Sequence, residues 1–106
     1  MAVHLAMAAM GANLGMNIHL DRIPAEQVQR DDVLLFSESA GRFVVSIDPQ
    51  NKEQFEKIFE GLPCASIGEV TNNPELVINA IDGTALVNIP VAKLKSAWKK
   101  PFGALI

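Results

Sequence analysis

The chain opens on apolar positions with almost no polar interruption. From Ala2 to Leu14 (AVHLAMAAMGANL) it is rich in Ala, Leu and Met, residues that favour helix. Apolar side chains fall nearly all round such a helix, the pattern of one buried on both sides. No Ser, Thr, Asp or Asn precedes it to accept the free N–H groups of a first turn, so the helix reads as cut into, not begun. Gly11 and Gly15 are expected to close it, with Asn13 tolerant of left-handed backbone. Met16 to Leu20 (MNIHL) then alternates as a half-buried strand does.

Further along, β-branched and aromatic runs at Val33 to Phe36 and Arg42 to Ile47 flank Ser37-Glu38-Ser39-Ala40-Gly41, which predicts a hairpin with a five-residue loop. Asp48 and Pro49 end the second strand, and Asn51 is placed to cap a helix over Lys52 to Glu60, where Phe55, Ile58 and Phe59 share one face. Gly61-Leu62-Pro63 stops that helix. Ala65 to Val70 (ASIGEV) reads as a strand and Thr71 to Pro74 as a turn. Leu76 to Ile81 and Thr84 to Ile89 flank Asp82-Gly83, a two-residue hairpin signal, and Pro90 leads into a last helix over Val91 to Trp98. Strands and helices mixed in this order, without repeats or linkers, predict an α+β (α/β layered) fold: a mixed sheet covered by helices.

Composition narrows the function classes. With 106 residues, 49% hydrophobic and 20% charged, the chain fits one packed domain and not a disordered segment. A net charge of −3 argues against nucleic acid or an anionic membrane surface, both of which need clustered Lys or Arg. No apolar run approaches the roughly 20 residues of a membrane span, and the run from Ala2 to Met10 lacks the basic start of a signal peptide. Cys64, the lone cysteine, is expected as a small core residue, and a single thiol suits a reducing cytoplasm.

Self-contained chemistry is scarce. His4 and His19 stand apart from any second ligand at metal spacing, and no nucleophile elbow, phosphate loop or dinucleotide fingerprint is present. No catalytic or metal-binding residue is therefore assigned. Lys93, Lys95, Lys99 and Lys100 read as a solvated helix face near the negative end of its dipole, and Trp98 as an anchor packing the last helix on the sheet. The loop from Ser37 to Arg42 (SESAGR) is the one polar cluster between apolar elements, offering two hydroxyls, a carboxylate and a guanidinium to a polar ligand. Alternatively, it is a solvated turn in which Glu38 pairs with Arg42.

The stretch LLFSESAGRFVVSI, followed by a short helix and CASIGEVTNNPELVI, resembles the C-terminal part of the synthetase subunit in the phosphoribosylformylglycinamidine synthase family. That family carries an F-S-E-S-x-x-R segment and an I-G-x-V segment after the next helix. VAKLKSAW resembles its closing helix, and Val3-His4-Leu5-Ala6 the helix after its S-D-G-G loop. The resemblance implies the C-terminal domain shared by proteins related to aminoimidazole ribonucleotide (AIR) synthase. It also implies a part in the ATP- and glutamine-dependent conversion of formylglycinamide ribonucleotide to formylglycinamidine ribonucleotide, in cytoplasmic purine biosynthesis. By analogy Ser37, Glu38, Ser39 and Arg42 would bind substrate. The S-D-G-G loop, the Mg-binding acids, the catalytic histidine and the nucleotide-binding domains of the family are not in this chain. It is thus expected to be one domain of a larger enzyme. ATP and Mg would serve the intact enzyme, with none held by this chain alone and no activity in isolation. The implied partners are the N-terminal domains of the synthetase, and the glutaminase and small accessory subunits of the complex. Two alternatives stand beside this: a domain of a relative such as AIR synthetase, a hydrogenase-maturation dehydratase or thiamine-monophosphate kinase, or a stand-alone module that self-associates through its apolar first helix.

Overall fold

The computed structural model describes residues 1–38 and 40–105. Four helices, α1 (Ala2–Ala12), α2 (Asp31–Phe36), α3 (Lys52–Ile58) and α4 (Val91–Lys99), accompany four strands, β1 (Gly15–His19), β2 (Gly68–Thr71), β3 (Glu75–Asn79) and β4 (Ala85–Pro90). The strands form one sheet in the order β2-β1-β3-β4, with β1 parallel to β3 and the other two pairs antiparallel. This is the mixed sheet with helices that the hydrophobic pattern predicts.

Alternation along β1 and β3 sends Ile18, Leu76 and Ile78 to one face, where Leu5 of α1, Leu34 and Leu35 of α2, and Leu20 complete the core. Full burial of each such side chain contributes about 1.5–3 kcal/mol. The opposite face carries Asn17, His19, Val77 and Asn79 and remains open. Between β2 and β3 the chain turns across the start of β1. A Cβ at Gly15 would overlap the Asn73 carbonyl oxygen there, so only glycine fits.

Several expectations need correction. Residues 33–36 are helical, not a strand: Leu34 and Leu35 are both buried while Val33 and Phe36 are exposed, a pairing of neighbours that a strand, with its alternating faces, cannot make. Asp31 and Asp32 supply an acidic first turn, which favours helix at that point. Residues 42–47 join no ladder, so the predicted hairpin does not form. Gly11 lies inside α1, and Asn13 takes the left-handed closing position with φ 54°. Only Leu5 and Ala9 of α1 are buried, one turn apart; Val3 and Met7 face outward, so the helix is buried on one side and not two. Asn51 stands before α3 without a side-chain cap bond; the Asp48 carboxylate instead accepts the Gln50 N–H at 2.9 Å. The β3–β4 connection covers residues 80–84, not two residues, with Ala80 N–H donating to Thr84 O, Gly83 N–H to Ala80 O, and Gly83 at φ 89°. Cys64 is exposed because it lies on the segment between α3 and β2, off the core. Trp98 is 53% exposed and lines a shallow groove with Met7, Met10 and Gly11 of α1.

Candidate functional site

The predicted loop begins where α2 ends. Buried Leu34 and Leu35 fix the helix on the core, and Ser37, extended at φ −63° and ψ 139°, leaves it while donating its N–H to Val33 O at 3.0 Å. Gly41, in left-handed geometry at φ 78°, reverses the chain so that Arg42 returns to the helix end. The Arg42 guanidinium donates from Nη2 to Leu34 O at 3.0 Å and from Nη1 to Ser37 Oγ at 3.1 Å. A cation on the last carbonyls of a helix satisfies acceptors without an intrahelical partner and meets the negative end of the dipole. The Met1 amino group donates to Leu35 O at 3.0 Å at the same end.

Ser37 and Arg42 are therefore brought together. Glu38 is exposed, and among the described residues the side-chain ion pairs are Arg30–Asp32 and Lys52–Glu56, so Arg42 bonds the helix end and not Glu38. Ser39 lies outside the described residues. The arrangement leaves the Glu38 carboxylate exposed on a loop fastened to the end of α2, which suits hydrogen bonding to a polar ligand. It provides no base–nucleophile pair. Among the described residues no polar or charged side chain is buried, and no group of three His, Cys, Asp or Glu could hold a metal.

A second polar feature lies on the open face of the sheet. Because β1 and β3 run parallel with His19 opposite Asn79, the Asn79 side chain reaches across the strand boundary. Its Nδ2 donates to Asn17 Oδ1 at 2.8 Å and to Ile18 O at 3.1 Å, and lies 3.5 Å from His19 Nδ1. Asn17, His19 and Asn79, with Thr71, Glu75 and Val77, help line an open depression of about 430 Å³. The alternation of Asn17 and His19 with Met16 and Ile18 carries the signal for it, but the partner Asn79 is 62 residues from Asn17 and invisible to local pattern. On β2, opposite Ile18, Gly68 of the IGEV segment is required by sterics: a Cβ there would overlap Asn17 O.

No described helix is long and apolar enough to cross a membrane. The family described as AIR synthase related protein, C-terminal domain, matches residues 1–81. The phosphoribosylformylglycinamidine synthase subunit PurL of Lactobacillus helveticus (strain DPC 4571) is 35% identical over 106 residues, the whole of this chain and 13% of that protein. The chain thus spans a small part of the curated relative's length. No solved structure matches. The matched segment includes α1, β1, α2, the Ser37–Arg42 loop, the Gly68 contact and β3 with its mixed-sheet pairing, and on that match the chain belongs to the family of the C-terminal domain of AIR synthase related proteins.

Proposed function

We propose that the chain is the C-terminal AIR-synthase-related domain of a phosphoribosylformylglycinamidine synthase, a cytoplasmic ligase of purine biosynthesis. In this reading it belongs to the ATP- and glutamine-dependent conversion of formylglycinamide ribonucleotide to formylglycinamidine ribonucleotide. ATP and Mg are held by other domains of the synthetase, and glutaminase and accessory subunits are its further partners. The observation that carries the reading is the end-to-end match of all 106 residues to the PurL subunit. The Ser37–Arg42 loop adds to it. Exposed Glu38 accepts a donor from the substrate, Ser39 adds to the contact, and Arg42 holds the loop in place.

The test is a chimera in which this chain replaces the matching 13% of the Lactobacillus helveticus subunit. Amidine formation is measured with ATP and glutamine, and the isolated chain serves as the control. The expected result is turnover by the chimera and none by the chain alone. A folded chimera without turnover, or turnover by the isolated chain, refutes the reading. Within an active chimera, Glu38→Ala raises KM for the ribonucleotide; an unchanged KM removes the loop from the substrate site.

A second reading rests on the outward face of α1. Val3 and Met7 are exposed there, and with Met10 and Trp98 they make an apolar strip flanked by Lys95 and Lys99. Such a strip suits self-association. Sedimentation of a clean monomer at high concentration eliminates it.

A further inference from the structure

Three side chains on the open face of the sheet are held in one arrangement. Buried Ile18, Leu76 and Ile78 pin the other face of β1 and β3 to the core, so Asn17, His19 and Asn79 stand on rigid strands and not on a loop. Ile18 O can only accept, and the Asn79 amide therefore turns its Nδ2 toward it, at 3.1 Å. The second hydrogen of that Nδ2 goes to Asn17 Oδ1 at 2.8 Å. Each amide then has one end left over. Asn17 keeps its Nδ2 donor and Asn79 its Oδ1 acceptor, and neither end is bonded to another group among the described residues.

The surroundings select against charge. No Lys or Arg lines the depression of about 430 Å³ above this array, and the Glu75 carboxylate does, so an anion is disfavoured there. The rim is already engaged with itself: Thr71 Oγ1 donates to Asn73 O at 3.1 Å, and Asn73 Nδ2 donates to Glu75 Oε2 at 3.2 Å. Val77, the register partner of Asn17, adds apolar surface beside the two free amide ends.

We propose that this face is a binding site for a small neutral molecule carrying a C=O and an N–H on the same side of one amide, as a lactam or a primary carboxamide does. The ligand C=O accepts from Asn17 Nδ2 and its N–H donates to Asn79 Oδ1, while its carbon skeleton lies on Val77. His19, with Nδ1 3.5 Å from Asn79 Nδ2, bounds the array at the end of β1. A trans peptide bond points its C=O and N–H to opposite sides, so it engages one of the two groups and not both. The site shares no residue with the Ser37–Arg42 loop and is independent of the synthase reading.

The test is NMR titration of the isotope-labelled full chain with δ-valerolactam, and with N-methyl-2-piperidone as a probe of similar shape that lacks the N–H. The lactam is expected to shift the side-chain amide signals of Asn17 and Asn79 saturably. The N-methyl probe should bind at least about fivefold more weakly, the effect of leaving one acceptor unmet. Asn17→Asp keeps an oxygen for Asn79 Nδ2 but replaces the outward donor with a second acceptor, so it should lose lactam binding while its backbone spectrum stays dispersed. No saturable shift from the lactam overturns the proposal. So do equal binding of the two probes, which needs no Asn79 acceptor, shifts centred on the groove around Trp98, and undiminished binding by a folded Asn17→Asp chain. Should that variant not fold, the comparison of the two probes on the unaltered chain decides the matter.

Discussion

Arg42 shows how one side chain can be present in a motif and yet have its donors committed elsewhere. Its bonds to Leu34 O and Ser37 Oγ make it the fastener of the loop, so its effect on any ligand passes through the position of Glu38. Arg42→Ala should cost about 1 kcal/mol, the usual net of a small set of hydrogen bonds, and should speed exchange of the Ser37 amide. Urea unfolding and amide exchange read the two effects; an unaltered Ser37 amide would mean that the guanidinium holds nothing. Gly68 tests the opposite case, a residue defined by what it lacks. A Cβ would overlap the backbone oxygen of Asn17, and backbone of a paired strand cannot step aside without loosening the β1–β2 ladder. Gly68→Ala should therefore destabilise by roughly 1–3 kcal/mol, as overpacking does, and a cost below half that range would contradict the close approach. Gly68 stands out in the sequence, but its reason does not: Asn17 is remote along the chain.

At the level of elements, α2 illustrates where local pattern misleads. Val33 to Phe36 has strand-forming composition, yet its buried pair is adjacent, and only contact with β1 and β3 makes that pair useful. Asp31 reinforces the helical outcome by accepting the Ile81 N–H at 2.8 Å, joining the start of α2 to the β3–β4 turn. Asp31→Ala leaves that N–H without its acceptor and is expected to cost about 1–3 kcal/mol in thermal or urea unfolding.

The same turn gives a pH dependence. Hydrogen bonds from the Thr84 hydroxyl and N–H hold the Asp82 carboxyl below its ordinary value of 3.8, and a hydrogen bond from Arg30 lowers Asp32 likewise. A depressed carboxyl stabilises the fold above its unfolded value and loses that contribution as pH falls through the folded one. Stability should thus decline as acid is added below about pH 4. Asp82→Asn should flatten the decline measured by unfolding at successive pH values; an identical slope would remove Asp82 as a source.

For the whole molecule, the core is assembled from elements far apart in sequence. Leu5 is wholly buried and packs in the same cluster as Ile18, Leu35 and Ile78. Leu5→Ala should cost about 2–5 kcal/mol by urea unfolding, as large-to-small changes in cores do. Helix and strand periodicity located α1, β1, α3, β3, β4 and α4 to within a few residues, because each rests on contacts three or four residues apart or on simple alternation. The same local chemistry marked the Ser37–Arg42 loop and joined it to a family motif.

Sheet order, the open polar face with Asn17, His19 and Asn79, the joint burial of Leu34 and Leu35 in α2 and the unpaired run after Gly41 were decided by tertiary structure. Each depends on which distant backbone lies alongside. Hydrophobic pattern states that a side must be covered, but the partner that covers it is set by packing in three dimensions.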